Sequence, residues 1–385
     1  MRLVILMVVL LTAMQLSYGS EPAFKDFFPV GVWYFWEDDA SYINRHVDDP
    51  KQARQYYERT IGELADHGIN LIIANWTPKD HRKMVLDIAQ EHSVKVIVHL
   101  DEVNAVVGKG EAGDKEDLLG IASRAVENLK KHPAVAGYYI IDEPSNSPDM
   151  AKRIAQAKQV LETVDPKHPA FSCLLGGYED LLKTVDYHVL LIDIYPLGTS
   201  WSGDFSGYIS ELERGSRNAG DRPLWVILQA FGKPNAWKVP TPEEIRAEVW
   251  LALAHGAKGI VYFLYQSTTG YQSEWLQGMV DMDLKQPDGR LEEIGKINAD
   301  LHKLAPTLLN LKPAEFEIPF ASDMIIAKGF VDDKGARYVI LANKDTRITA
   351  TGRWTGDPPT DVLTGLRIRP LVILKPGAGR LLRLK

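Results

Sequence analysis

Short apolar runs rich in Val, Ile, Leu and Tyr recur along the chain at 29–35, 70–75, 94–100, 135–141, 170–175, 188–194, 224–229 and 259–264. They are continuous rather than alternating, the pattern of strands covered on both faces in a parallel sheet. Amphipathic stretches separate them, at 53–67, 115–131, 149–163 and 242–255. Two of these end in His-Gly, at His67-Gly68 and His255-Gly256, where a glycine cap hands the helix directly to the next strand. Eight strand–helix units within residues 24–305 predict an α/β fold, a (β/α)8 TIM barrel, whose usual size is about 250 residues. Only 176–187 separates the fifth and sixth strands, so the helix there must be short. A doubly wound sheet would carry a Gly-rich phosphate loop after its first strand; Trp33-Tyr34-Phe35-Trp36 stands there instead.

From residue 312 the rhythm changes. Segments 315–318, 324–330, 336–343, 349–354, 371–374 and 379–385 are short and partly alternating, with turns such as Asp332-Asp333-Lys334-Gly335. They predict a small C-terminal antiparallel β-sandwich over 312–385. At the other end, residues 1–19 join Arg2, an apolar run over 3–13 and the small residues Ser17 and Gly19. This is the layout of a secretory signal peptide, and the run is shorter than the roughly 20 residues of a membrane span. The expectation is a secreted or periplasmic protein, free of the membrane once the leader is removed.

Composition narrows the chemistry. Lys plus Arg (44) against Asp plus Glu (51) leaves a formal charge of −7, so no global basic field is present to hold a nucleic acid. The single cysteine, Cys173, excludes an intramolecular disulfide and a multi-cysteine metal site. No cofactor motif stands out, and His46, His81 and His99 lack ligand spacing.

In a TIM barrel the chemistry sits at the C-terminal strand ends. Here those ends carry Trp36-Glu37, Asn75-Trp76, Asp101, Asp142-Glu143-Pro144, Asp193-Ile194-Tyr195, Gln229 and Tyr265, a ring of carboxylates and aromatics. Trp237 and Trp201 follow in loops on the same face, where flat rings suit stacking on a pyranose. Trp225 and Trp250 fall inside strand and helix patterns and read as packing residues. The adjacent acids Asp142 and Glu143 after a buried strand disfavour joint ionisation, and a carboxyl of raised pKa suits a proton donor.

The sequence Tyr138-Tyr139-Ile140-Ile141-Asp142-Glu143-Pro144 resembles the fourth-strand motif of the clan A (β/α)8 glycoside hydrolases, which commonly reads Asn-Glu-Pro. The resemblance implies a carbohydrate substrate, with Glu143 as general acid/base and a second glutamate after the seventh strand as nucleophile. The chain departs from it twice: Asp142 replaces the usual asparagine, and Gln229 stands at the nucleophile position. An amide cannot form a glycosyl ester. The Asp-Glu pair also resembles barrel N-acetylhexosaminidases in which the substrate's acetamido group is the nucleophile. That resemblance implies that Asp142 orients the acetamido group, with Tyr195 hydrogen-bonding its oxygen. Three readings therefore stand: a hydrolase drawing its second carboxylate from Asp193, Glu37 or Asp101, a substrate-assisted hexosaminidase, or a carbohydrate-binding protein on a decayed barrel.

Overall fold

The computed structural model describes residues 24–35, 49–109, 115–269 and 275–385. Residues 1–19, expected to be a leader, and the candidates Trp36 and Glu37 lie outside the described residues. Eight parallel strands close into a barrel in sequence order. They are β1 (Val30–Phe35), β2 (Leu71–Asn75), β3 (Lys95–His99), β4 (Val135–Asp142), β5 (Ala170–Leu174), β6 (Leu190–Ile194), β7 (Leu224–Gln229) and β8 (Ala257–Phe263). The connecting helices are α1 (Pro50–Asp66), α2 (Arg82–Glu91), α3 (Asp101–Lys109), α4 (Lys115–Val126), α5 (Pro148–Val164), α6 (Glu179–Leu182), α7 (Ser206–Ala219) and α8 (Pro242–Ala254). α6 is a single turn of four residues, as the short spacing requires. α9 (Arg290–Leu308) completes the outer ring and runs past 305.

Local chemistry sets the helix starts. Asp49 and Ser147 each accept backbone N–H groups ahead of a proline at the first helical turn. Thr241 and Glu244 form a reciprocal capping box on α8. Strand residues alternate between two cores. Val30, Val32, Tyr34, Tyr138 and Ile140 meet the helices, whereas Trp33, Ile73, Tyr139, Cys173 and Ile227 fill the barrel interior. Both faces are apolar because both are covered, which is why the strands read as unbroken hydrophobic runs. The interior is floored by Trp225, with Phe24 at 4.8 Å and Phe171 stacked at 5.4 Å between ring centroids.

Beyond α9 two antiparallel sheets pack face to face. One has the order β10 (Phe320–Ala321), β13 (Ala350–Trp354), β15 (Leu371–Leu374). The other has the order β14 (Thr360–Asp361), β16 (Gly379–Arg383), β12 (Arg337–Asn343), β11 (Ile325–Val331), β9 (Lys312–Pro313). Val339, Leu341, Trp354, Val372 and Leu374 fill the space between them. The opposite face of β12, with Tyr338, Ile340 and Ala342, joins the barrel's outer core. Contact with α8 is close: Arg246 donates to Pro376 O at 3.0 Å, and Gly377 presses on Glu243 O so tightly that a Cβ would lie 2.1 Å from it.

Candidate active site

β4 builds the centre of the site. Tyr139 points into the barrel and donates its hydroxyl to Asp142 Oδ1 at 2.6 Å, while accepting from Cys173 N at 3.0 Å. The register between β4 and β5 slips between Tyr139 and Ile141, which lets Asp142 meet Tyr139 three positions upstream. The next residue, Glu143, turns out of the strand at φ 39° with its N–H on Cys173 O at 3.1 Å. A glutamate in the left-handed region is strained, and so is Trp76 at φ 51° directly after β2. Such strain persists only where the surrounding structure over-determines it, and it gathers at functional sites. Glu143 is exposed, whereas Asp142 is half-buried.

β6 brings the third carboxyl. Asp193 is buried, and burial followed by the charge of Glu143 and a hydrogen bond shared with it hold its carboxyl well above the usual range. Asp193 Oδ1 has no donor facing it among the described residues. Burial, outweighing the Tyr139 hydroxyl, pushes Asp142 up to about 6, with Glu143 adding to the shift and His99 opposing it. Asp142, Glu143 and Asp193 thus form one electrostatically coupled group on two non-adjacent strands.

Aromatic rings wall this group. Trp33 meets Tyr139 edge-on at 5.1 Å and Phe263 at 5.9 Å. Tyr195 meets Phe231 at 5.1 Å, Phe263 at 5.7 Å and Trp237 at 6.3 Å. Burial and the neighbouring Asp193 keep Tyr195 protonated as a donor. Trp76 also packs on the interior core, and Asn75 is buried at the end of β2 with its Oδ1 lacking a donor among the described residues.

Three expected positions are placed differently. Gln229 is fully buried and lines no cleft wall: its Oε1 accepts from Leu197 N at 2.9 Å, and its Nε2 donates to Lys238 O at 2.9 Å and Phe231 O at 3.3 Å. The amide is spent fastening the loops after β6 and β7. Tyr265 lies outside the barrel, its hydroxyl donating to Glu63 on α1. Asp101 opens α3 instead of facing the mouth freely. Arg82 Nη2 holds it at 2.9 Å and His99 Nδ1 stands at 2.8 Å. Burial raises its carboxyl, but those two partners outweigh it and leave the group below the ordinary range. Trp201 is half-buried against the outer core and donates its Nε1–H to Glu244 Oε1 at 3.0 Å. Conversely, Trp33, Tyr139, His99, Phe231 and Phe263 belong to the site and were not singled out by the sequence. Their one signal is the period of two along each strand, hidden because both faces are apolar.

Among the described residues no group of His, Cys, Asp and Glu is arranged to hold a metal ion, and no helix is long and apolar enough to cross a membrane.

Residues 146–304, less than half of the chain, match the glycoside hydrolase 42 family, described as Beta-galactosidase. No curated protein sequence matches the chain. Among solved structures, the β-galactosidase from Bacillus circulans sp. alkalophilus superposes with a TM-score of 0.72 at 8% identity, covering 93% of this chain and 99% of that one. A catalytic mutant of a GH42 β-galactosidase from G. stearothermophilus gives 0.70 at 8% identity, covering 92% and 98%. The β-glucuronidase of Faecalibacterium prausnitzii gives 0.54 at 14% identity, covering 71% and 49%. At these identities the likeness is one of fold.

Proposed function

We propose that this chain is a glycoside hydrolase that cleaves O-glycosidic bonds of a carbohydrate, with Glu143 as the general acid. The observation that carries the reading is the convergence of Asp142, Glu143 and Asp193 at the barrel mouth beneath an aromatic wall. The family match over residues 146–304 and the β-galactosidase structures of the same fold support it. Glu143 is the exposed member of the three, able to reach a glycosidic oxygen, and the buried Asp193 beside it has its carboxyl held well above the usual range by burial and the Glu143 charge. Asp142, fixed by Tyr139, stabilises positive charge developing at the sugar's anomeric carbon.

A second reading is favoured by one observation, the commitment of Gln229 to loop carbonyls where a nucleophilic carboxylate would stand. In it the substrate's own 2-acetamido group closes on the anomeric carbon, oriented by Asp142 and Tyr195. Turnover of aryl β-galactosides, other hexosides and N-acetylhexosaminides, with Glu143→Gln alongside, separates the two. A general acid contributes about 10²–10⁴-fold, so Glu143→Gln should lose that much on poor leaving groups while keeping the wild-type melting temperature. Full activity in that variant would remove Glu143 from the mechanism, and binding without any turnover would favour a carbohydrate-binding protein. Export is proposed from residues 1–19 alone; an N-terminus at Ser20 in protein recovered outside the cytoplasm is the expected result.

A further inference from the structure

The loops after β6 and β7 enclose a cleft of about 380 Å³ whose lining includes Thr199, Trp201, Lys233, Asn235, Trp237 and Gln277. Its volume lies within the roughly 300–1,000 Å³ of small-ligand sites. Trp237 belongs to two places at once: it lines this cleft, and its ring meets Tyr195 and Phe231 of the wall above the carboxylates. The cleft therefore continues the mouth outward.

Its walls are built rather than loose. Gly198 and Lys233 bridge to Trp237, and Gly232 bridges to Gln277, so the loops after β6, β7 and β8 share backbone hydrogen bonds. Behind them Gln229 holds Leu197 and Lys238, while Glu244 accepts from Trp201 Nε1 and Lys238 Nζ. Gly232 lies so close to Val239 that a Cβ would sit 2.4 Å from its side chain. Trp237, with Lys233 Nζ 5.6 Å from its ring centroid, offers indole surface to the C–H face of a pyranose; Thr199, Asn235 and Gln277 offer hydroxyl partners.

We propose that this cleft is a remote sugar subsite, so that the substrate is an oligosaccharide of three or more units. A disaccharide occupies only the two positions flanking the scissile bond at Glu143; a cleft beyond Trp237 receives a third unit. The proposal rests on the glycosidase reading above and names its substrate class.

The test measures kcat/KM on an aryl β-galactoside and on galacto-, cello- and chito-oligosaccharides of two to five units. For the sugar series that is turned over, the wild type should gain about tenfold from two units to three, the scale of a well-made ring contact, and little beyond. Trp237→Ala should cut the three-to-two ratio roughly 3–10-fold and Trp237→Phe should restore most of it. Thr199→Trp, an exposed position filled from outside, should abolish the gain and provides the test if Trp237→Ala fails to fold. A ratio near one in the wild type, or one that neither variant moves, overturns the subsite. Calorimetry of the same oligosaccharides on Glu143→Gln separates this from failure of the parent reading. Tighter, Trp237-dependent binding of the trisaccharide without turnover in the wild type keeps the subsite and rejects the glycosidase; turnover with no length dependence does the reverse.

Discussion

Asp142 is a half-buried acid held by one phenol, and its titration has a cost that can be measured. Its carboxyl is raised to about 6 in the folded chain, against the ordinary 3.8. The folded state therefore binds more protons than the unfolded one between about pH 4 and 6, and stability falls as pH rises through that window. Asp142→Asn keeps an acceptor for Tyr139 and removes the charge. It should melt about 1–3 °C higher than the wild type at pH 7.5, with the difference gone by pH 4; scanning calorimetry at the two pH values checks this. A gain in stability together with a loss of turnover would mark Asp142 as a group kept for chemistry. The Asp142-Glu143 pair was legible in the sequence because two adjacent acids after a buried run have few structural uses. His99 was not, since nothing in its spacing reveals that Arg82 and Asp101 brace it beneath Tyr139.

At the scale of elements, the eight strands and the short α6 followed from apolar runs and spacing. The roles of strand-end residues did not follow, because a residue's face depends on register and on bulges such as the slip in β4. Gln229 ends β7 and Tyr265 follows the end of β8 by two residues, yet both turn away from the mouth, one into the loop scaffold and one toward α1. Gln229→Glu, which restores the acid that clan A hydrolases carry there, should not create a nucleophile. It would replace an amide donor by a carboxylate facing Lys238 O and Phe231 O in a fully buried setting. The expected cost is about 2–4 kcal/mol in urea unfolding, with no gain in turnover. The nearby Glu248, buried and accepting from Gln229 N, has its own carboxyl raised by burial, so a second acid there would sit beside another acid and find no cation among the described residues to offset it.

For the whole molecule, the barrel and the sandwich share one outer core through β12 and α8. Gly377 adopts φ 65° against the first turn of α8, a position that admits neither a Cβ nor an ordinary backbone conformation. Gly377→Ala should destabilise the protein by about 1–3 kcal/mol and lower a single unfolding transition; two separated transitions in calorimetry would mean that the parts melt independently. The sandwich was visible in the sequence as a change of rhythm after residue 312, but its docking was not. Its continuous run Arg337–Asn343 is the trace of a strand buried on both sides.

The first turn of α8 faces two ways. Glu243 meets the sandwich through Gly377, and its neighbour Glu244 grips Trp201 and Lys238 beside the mouth. The sandwich is consequently a poor unit for exchange by recombination. A foreign domain grafted after α9 would inherit a seat shaped for one glycine, and any shift of the helix needed to accommodate it would pass within one residue to the loops after β6 and β7. Lineages of this chain should keep barrel and sandwich together and diversify in the loops instead.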